Sequence, residues 1–432
     1  MEYIGIDFGT TNSALAIASQ DRSLQLATFQ SKAGMIDVFR SVLYFEQDNS
    51  TIPRKVKAYA GPDAIDRYLT GEVKGRFIQS LKSYLASSLF TSTNVFGHSY
   101  SLQDLIAYLL RCLTANVLAP SRSVDRLIFV GRPVRFVGSD SVSDDNLALS
   151  RLTAALEGAG VGSFTFEYEP VAAAYFYEAR LIENELILVA DFGGGTSDFS
   201  LLEVGPTPRA KGSARTILAT AGIGIAGDSF DASFVRKVVS PLLGSGTNYR
   251  SLGKILSVPA WPYGKLEHWH HLSLLNNRET MNLLNSLAAN AEDANAIRMF
   301  IQIIKADMGF YLHRAVQECK NELSEQNKSS FSFYFDDVKI SRLIRRDEFE
   351  GWIKDDLDQI RQCVIALLQR ARISPSRVDR VFLTGGSSLV PAVRRIFAEL
   401  FGGSKLAGGG EFTSVAQGLA LRAIDARDPL MP

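Results

Sequence analysis

The sequence predicts an α/β protein built from two lobes of one design, with a cleft between them. Two observations carry this expectation. The stretch "YIGIDFGTTNSALAI" (3–17) is an apolar, β-prone run broken by a polar turn and then resumed, and "LILVADFGGGTSDFSLL" (186–202) repeats it around the same Asp-Phe-Gly. A second pair recurs in the same order: "SVDRLIFVG" (123–131) and "RVDRVFLTG" (377–385) share a Val-Asp-Arg entry, an apolar strand and a terminal glycine. Single β-hairpins often resemble one another. Two separate motifs, repeated in order in each half, point to duplication. Strand patterns alternate with helical ones between them, as in α/β architectures.

In chain order, 3–7 and 13–18 read as the first hairpin. A helical pattern covers 102–118, a short strand 126–133, a helix 145–157 and a strand 164–168. A further helix starts after Pro170, where the missing N–H has no intrahelical partner to lose. The second half restarts with strands at 185–191 and 198–204. Helical patterns follow at 227–240 and 315–324, strands at 331–335 and 338–343, and one long helix at 348–371. "GSKLAGGGEF" (403–412) reads as a loop and 413–426 as the closing helix. Residues 1–184 thus form lobe one and 185–432 lobe two. The stretch 241–313, with Pro259, Trp261, Pro262 and Trp269 near its start and helical periodicity from about 272, reads as a mostly helical subdomain inserted in lobe two.

Composition narrows the function classes. A length of 432 residues allows two or three domains with their own cores. The 46 Lys plus Arg are balanced by 46 Asp plus Glu, so no net field favours nucleic acid or acidic lipid. Cys112, Cys319 and Cys363 lack metal or CxxC spacing, which suits a reducing compartment, and Cys319 and Cys363 read as small residues buried in helices. No signal-peptide pattern opens the chain, and no apolar run approaches the roughly 20 residues of a membrane span. The expectation is a cytoplasmic globular protein that engages neither nucleic acid nor membrane.

The chemistry sits in the two turns. Gly/Thr-rich tips present rows of backbone N–H groups and hydroxyls, which bind phosphate oxygens. Asp7 and Asp191, just before the tips, cannot favourably touch phosphate. They make sense with a cation between, and Mg²⁺ takes oxygen ligands while keeping several waters. Two such hairpins would grip one polyphosphate from both sides. Other nucleotide motifs fail: GxxxxGK[ST] is absent, Asp191-Phe192-Gly193 lacks a kinase catalytic loop, and the GxGxxG at Gly222, Gly224 and Gly227 lacks its acidic partner. His268, His270 and His271 have no Cys or Asp cluster beside them and read as polar residues of an inserted loop.

"GIDFGTTNS", "DFGGGTSDFS", "EPVAAA" (169–174) and "LTGGSSLVP" (383–391) together resemble the DnaK-type heat-shock chaperone ATPase domain of the actin-like ATPase superfamily. "VGRPVRFVG" and "FEYEPVAAAYFYEA" look closer still to its YegD-like branch, which lacks a substrate-binding domain, and the chain's last residue, Pro432, fits that expectation. The resemblance implies duplicated ribonuclease H-like lobes and the cofactors ATP or ADP with Mg²⁺. It implies that Asp7 and Asp191 hold hydrated Mg²⁺. Gly9, Thr10, Thr11 and Asn12 would cradle phosphate from lobe one, and Gly193, Gly194, Gly195 and Thr196 from lobe two. Lys82 resembles the family's catalytic lysine; Glu169, Asp198 and Thr196 would serve the attacking water. Pro133 resembles the proline that relays nucleotide state.

For the nucleoside, the resemblance implies Gly227, Gln317, Lys320, Ser324, Gly385, Gly386 and Ser387. Gln317 stands where the family usually has glutamate, and Leu389 replaces an arginine that stacks near the base, so altered nucleoside affinity is expected. The implied activity is slow, chaperone-type ATP hydrolysis driving a two-lobe switch, read by a protein partner or co-chaperone. A small-molecule, sugar-type kinase, an actin-like filament former and a nucleotide-sensing scaffold are the alternatives on the same fold.

Overall fold

A computed structural model describes residues 1–32, 34–48, 54–70, 75–118, 125–179, 181–205, 216–268, 271–272, 275–408 and 413–427. The chain divides into two compact units: Met1–Ala226 with Ile360–Ser388 and Val393–Pro432, and Gly227–Gln359 with Leu389–Ala392.

The first unit contains both duplicated motifs, each in its own sheet. Numbering only the strands along the main path of these two sheets, the first comprises β1 (Glu2–Phe8), β2 (Asn12–Ala18), β3 (Leu24–Leu26), β4 (Arg126–Arg132) and β5 (Phe164–Tyr168), with the short strand Phe39–Arg40 also paired to β2. The second comprises β6 (Glu185–Phe192), β7 (Ser197–Val204), β8 (Thr216–Ile223), β9 (Arg380–Thr384) and β10 (Leu406–Gly408). Their orders are β5-β4-β1-β2-β3 and β8-β7-β6-β9-β10. In both, an antiparallel hairpin carries a third antiparallel strand on one side and two parallel strands on the other. The two Val-Asp-Arg segments lead into β4 and β9, the matching parallel neighbours of the two hairpins. The fold is thus the duplicated α/β arrangement of the actin-like ATPases.

Register matters at the tips. Phe8 pairs with Ser13 and Phe192 with Ser197, leaving residues 9–12 and 193–196 as the turns. One step back, Asp7 faces Ala14, whereas Asp191 faces Asp198. The second hairpin therefore carries two carboxylates where the first carries one.

The alanines of "EPVAAA" are explained by packing. Ala172, Ala173 and Ala174 are fully buried on helix Glu169–Glu178, which lies against helix Ser414–Arg427. A Cβ on Gly418 would overlap the main-chain carbonyl of Ala172, and one on Gly5 the carbonyl of Ala416. Both helices join a core shared by residues of both sheets, including Ala16, Phe129, Val189, Leu202 and Phe382. The other core of this unit lies on the β1–β2 side, where helices Leu102–Thr114 and Val142–Gly158 supply Leu105, Leu109, Leu152 and Leu156. Ser101 and Ser141 start these helices through reciprocal bonds with Asp104 and Asp144.

The second unit spans the whole range of the expected 241–313 insertion and extends beyond it on both sides. It packs helix Gly309–Glu325 on the hairpin Lys328–Phe335/Val338–Arg345 and adds the helix pair Arg278–Asn290 and Ala294–Lys305. Phe234 stands at the centre of an aromatic cluster with Phe331, Phe349 and Trp352.

Three sequence expectations need correction. The single helix over 348–371 is two, Arg346–Trp352 and Lys354–Ala371, because Ile353 leaves the helical conformation to bury its side chain completely. The "GSKLAGGGEF" stretch is a loop only in part: Leu406–Gly408 adds β10 to the sheet, and 409–412 lie outside the described residues. Cys319 is buried as expected, but Cys363 is only partly so. No described helix is long and apolar enough to cross a membrane.

Candidate functional site

Within the first unit the structure brings the phosphate and catalytic candidates of both hairpins together. A Cβ added to Gly195 would stand 3.5 Å from Thr10 Oγ1, 3.4 Å from Ser83 Oγ and 2.8 Å from Val137 Cγ2. The second tip therefore abuts the first tip, the turn of Lys82 and the segment after Pro133. Glycine at 195 is what allows this approach.

Each tip is braced from behind. Ser41 Oγ donates to the carbonyl of Gly9 (2.7 Å), and the Ser41 amide donates to the carbonyl of Thr11 (2.9 Å). Arg40 Nη1 donates to Asn12 Oδ1 at 3.0 Å, which commits that oxygen to holding the turn. In the second tip, Gly193 N–H donates to the carbonyl of Thr196 (2.9 Å). Gly385, at φ +81° after β9, sits directly on the carbonyl of Phe192, where any side chain would collide.

The charged groups converge beside these tips. Lys82, on the short 3₁₀ turn Leu81–Tyr84, donates from Nζ to Glu169 Oε1 at 2.5 Å, and both side chains are buried. Glu169 opens its helix; a Cβ on Gly131 would come within 3.1 Å of its Cγ, so the glycine ending the repeated β4 motif makes room for it. Asp198, 1% exposed, accepts from the Val134 amide at 2.9 Å and from the Thr196 hydroxyl. The buried Pro133 thus precedes the residue whose N–H tethers Asp198.

The electrostatics follow from crowding. Burial, reinforced by Glu169 and Asp198, pushes the Asp191 carboxyl up to about 8. Burial and Glu169 push Asp198 to about 7, against the opposing pull of its Thr196 hydrogen bond and Lys82. Asp7 is raised well above the usual carboxylate range by burial, Glu169 and Asp191. Burial pulls Lys82 down, but Glu169, Asp7 and Asp198 outweigh it and its ammonium is stabilised. Four carboxyl groups around one lysine form a donor set that lacks positive charge, and such a set fits a hard divalent cation. Among the described residues no three His, Cys, Asp or Glu converge closely enough to ligate an ion directly. An ion held through its own waters is compatible with both facts.

The nucleoside candidates Gly227, Gln317, Lys320 and Ser324 lie in the second unit, and Gly385, Gly386 and Ser387 in the first. Gly227 starts the helix Gly227–Phe234, whose buried Asp231 organises the rest. Asp231 Oδ1 accepts from Lys320 Nζ (2.5 Å) and Oδ2 from Gln317 Nε2 (3.3 Å). With its nitrogen so engaged, Gln317 is left its oxygen for a further donor. Ser324 Oγ donates to the carbonyl of Lys320 (3.2 Å). Leu389 is exposed. Asp231 was missed in the sequence, although a carboxylate set between Phe230 and Phe234 in a helical pattern signals a paired, buried acid. Among the described residues the histidines gather no cation site: the rings of His268 and His271 are 5.5 Å apart, burial pushes His271 down to about 4, and His270 lies outside the described residues.

Comparison with known proteins agrees with this architecture. Residues 298–424 match the family model described as Hsp70 protein. The chain is 25% identical to the chaperone protein DnaK of Deinococcus radiodurans and 23% identical to that of Thermotoga petrophila, in each case over 97% of this chain and 59% of the relative. It is also 23% identical to the chaperone protein dnaK of Emiliania huxleyi, over 92% of this chain and 56% of that one. The chain therefore spans somewhat over half the length of these relatives. On the motifs, the matched sheet topology and these similarities, the chain resembles the DnaK-type chaperone ATPase domain, and does so over nearly its whole length.

Proposed function

We propose that this protein binds ATP with Mg²⁺ at the two hairpin tips of the first unit and hydrolyses it slowly, as a chaperone-type nucleotide switch. The observation that carries the reading is the convergence of Lys82, Glu169, Asp7, Asp191 and Asp198 on two donor-rich turns that touch each other.

In this reading Gly9–Asn12 and Gly193–Thr196 hold the phosphate oxygens through backbone N–H groups and hydroxyls. Asp7 and Asp191 would hold a hydrated magnesium, which would supply neutralisation of the phosphate charge. The Lys82 ammonium stabilises charge on the phosphoryl group as water attacks phosphorus and ADP leaves. Asp198, with a carboxyl near 7, is suited to orient that water and take its proton, since a base is most effective near the working pH. Thr196, which donates to Asp198, fixes its orientation. Val134 then carries a change at Asp198 to the Pro133 segment, a route by which phosphate state is reported to a protein partner. Gln317, Lys320 and Ser324 would serve the nucleoside, with Gln317 offering a neutral acceptor.

Steady-state ATP hydrolysis by Asp7→Asn, Lys82→Ala and Asp191→Asn tests the reading. Each is expected to lose about 10²–10³ in kcat, the cost of removing one charge-stabilising group. Wild-type turnover in all three would refute it.

A further inference from the structure

The helix Val142–Gly158 sends Arg151 into the interior, where the residue is 8% exposed. Its partners are four main-chain carbonyls: Nη1 donates to Ser87 (2.8 Å), Leu85 (3.0 Å) and Tyr84 (3.4 Å), and Nη2 to Phe90 (3.3 Å). All four belong to the stretch that follows Lys82. A guanidinium stays charged, and burying one is costly unless its donors are met. Here they are spent on the backbone of one loop.

That loop needs an external hold. Ser80, just before the turn, sits at φ 55°, ψ 30°, an uncommon conformation for a residue with a side chain. From there the chain runs through i→i+3 bonds, Ser83 to Ser80, Leu85 to Lys82 and Ser87 to Tyr84, whose geometry is poorer than that of an α-helix. Carbonyls at the end of such a turn attract a cation. The Tyr84 and Phe90 rings of the same loop pack together with centroids 5.1 Å apart.

We propose that Arg151 is the positioning residue of Lys82: by gripping the carbonyls of Tyr84, Leu85, Ser87 and Phe90, it fixes the turn that presents the ammonium to Glu169. The proposal rests on the reading of Lys82 given above only for its effect on turnover. Its first test is independent of nucleotide. Hydrogen exchange is compared for wild type, Arg151→Met and Arg151→Lys, the last keeping the charge but lacking the fork that spans four carbonyls. Faster exchange confined to the amides of 81–90, with β1 and β6 protected as in wild type, is the expected result. Wild-type exchange at 81–90 in either folded variant overturns the proposal.

The second test is kinetic. Arg151→Lys is expected to lower kcat by up to roughly 100-fold with KM near wild type, the signature of a displaced group. Combining Arg151→Lys with Lys82→Ala should cost no more than Lys82→Ala alone; additive losses would mean that Arg151 does not act through Lys82. Wild-type turnover by Lys82→Ala would refute the catalytic reading of Lys82, while the exchange result would still decide whether Arg151 positions the turn.

Discussion

Replacing Asp191 by asparagine should stabilise the ligand-free protein, even though it removes a carboxylate from the proposed ATP site. Folded Asp191 keeps its proton up to about pH 8, whereas an exposed aspartate releases it near 3.8. Across that window the folded state binds more protons than the unfolded chain, so stability falls as pH rises. Each pH unit costs about 1.4 kcal/mol while the two states differ by a full proton. From pH 6 to pH 8 the loss is roughly 2 kcal/mol, allowing for partial ionisation at the upper end. Asparagine cannot ionise and lacks this term. The measurement is urea unfolding in a chelator at both pH values, followed by far-ultraviolet circular dichroism. Tryptophan fluorescence would not serve, because Trp261, Trp269 and Trp352 all fall within 227–359, outside the unit that holds Asp191. Wild type should lose roughly 2 kcal/mol more than Asp191→Asn between the two pH values. Equal losses in the two proteins would refute the account of a carboxyl buried without its cation.

Two further outcomes follow from the packing. Gly418→Ala drives a methyl into the Ala172 carbonyl and should destabilise the protein by about 1–3 kcal/mol or more, read as a lowered midpoint in the same circular dichroism experiment; an unchanged midpoint would mean that the two helices are free to separate. Asp231→Ala leaves the largely buried Lys320 ammonium without its carboxylate and should cost about 3–5 kcal/mol, and here tryptophan fluorescence is the right probe because Trp261 and Trp352 lie in the same unit; a loss below 1 kcal/mol would mean that Lys320 turns out to solvent.

What the sequence revealed was what repeats locally. The hairpins were legible because Asp-Phe-Gly recurs with apolar strands on both sides, and β4 and β9 because Val-Asp-Arg precedes each. Lys82 was found only by likeness, since its partner Glu169 is 87 positions away and no local pattern ties them. Arg151 carried no signal at all: an arginine in an amphipathic helix looks solvated until the fold lays four carbonyls over it. The break at Ile353 is equally non-local, because its side chain is buried by tertiary packing that overrides helix propensity. Glycines announced themselves as turns, yet Gly5 and Gly418 are not turn residues. They mark where backbone meets backbone, which only the assembled core discloses.

Those contacts have a mechanical consequence. Where side chains interlock, a small displacement is absorbed by a change of rotamer, and the disturbance dies out within a shell or two. Between Gly418 and Ala172, and between Gly5 and Ala416, little lies between the surfaces that can rotate. A shift of β1 must therefore pass undamped into the helix Ser414–Arg427 and from there to the helix that begins with Glu169. The junction behaves as a bare bearing, and wear there, in the form of one added methyl, would jam the moving part and its housing alike.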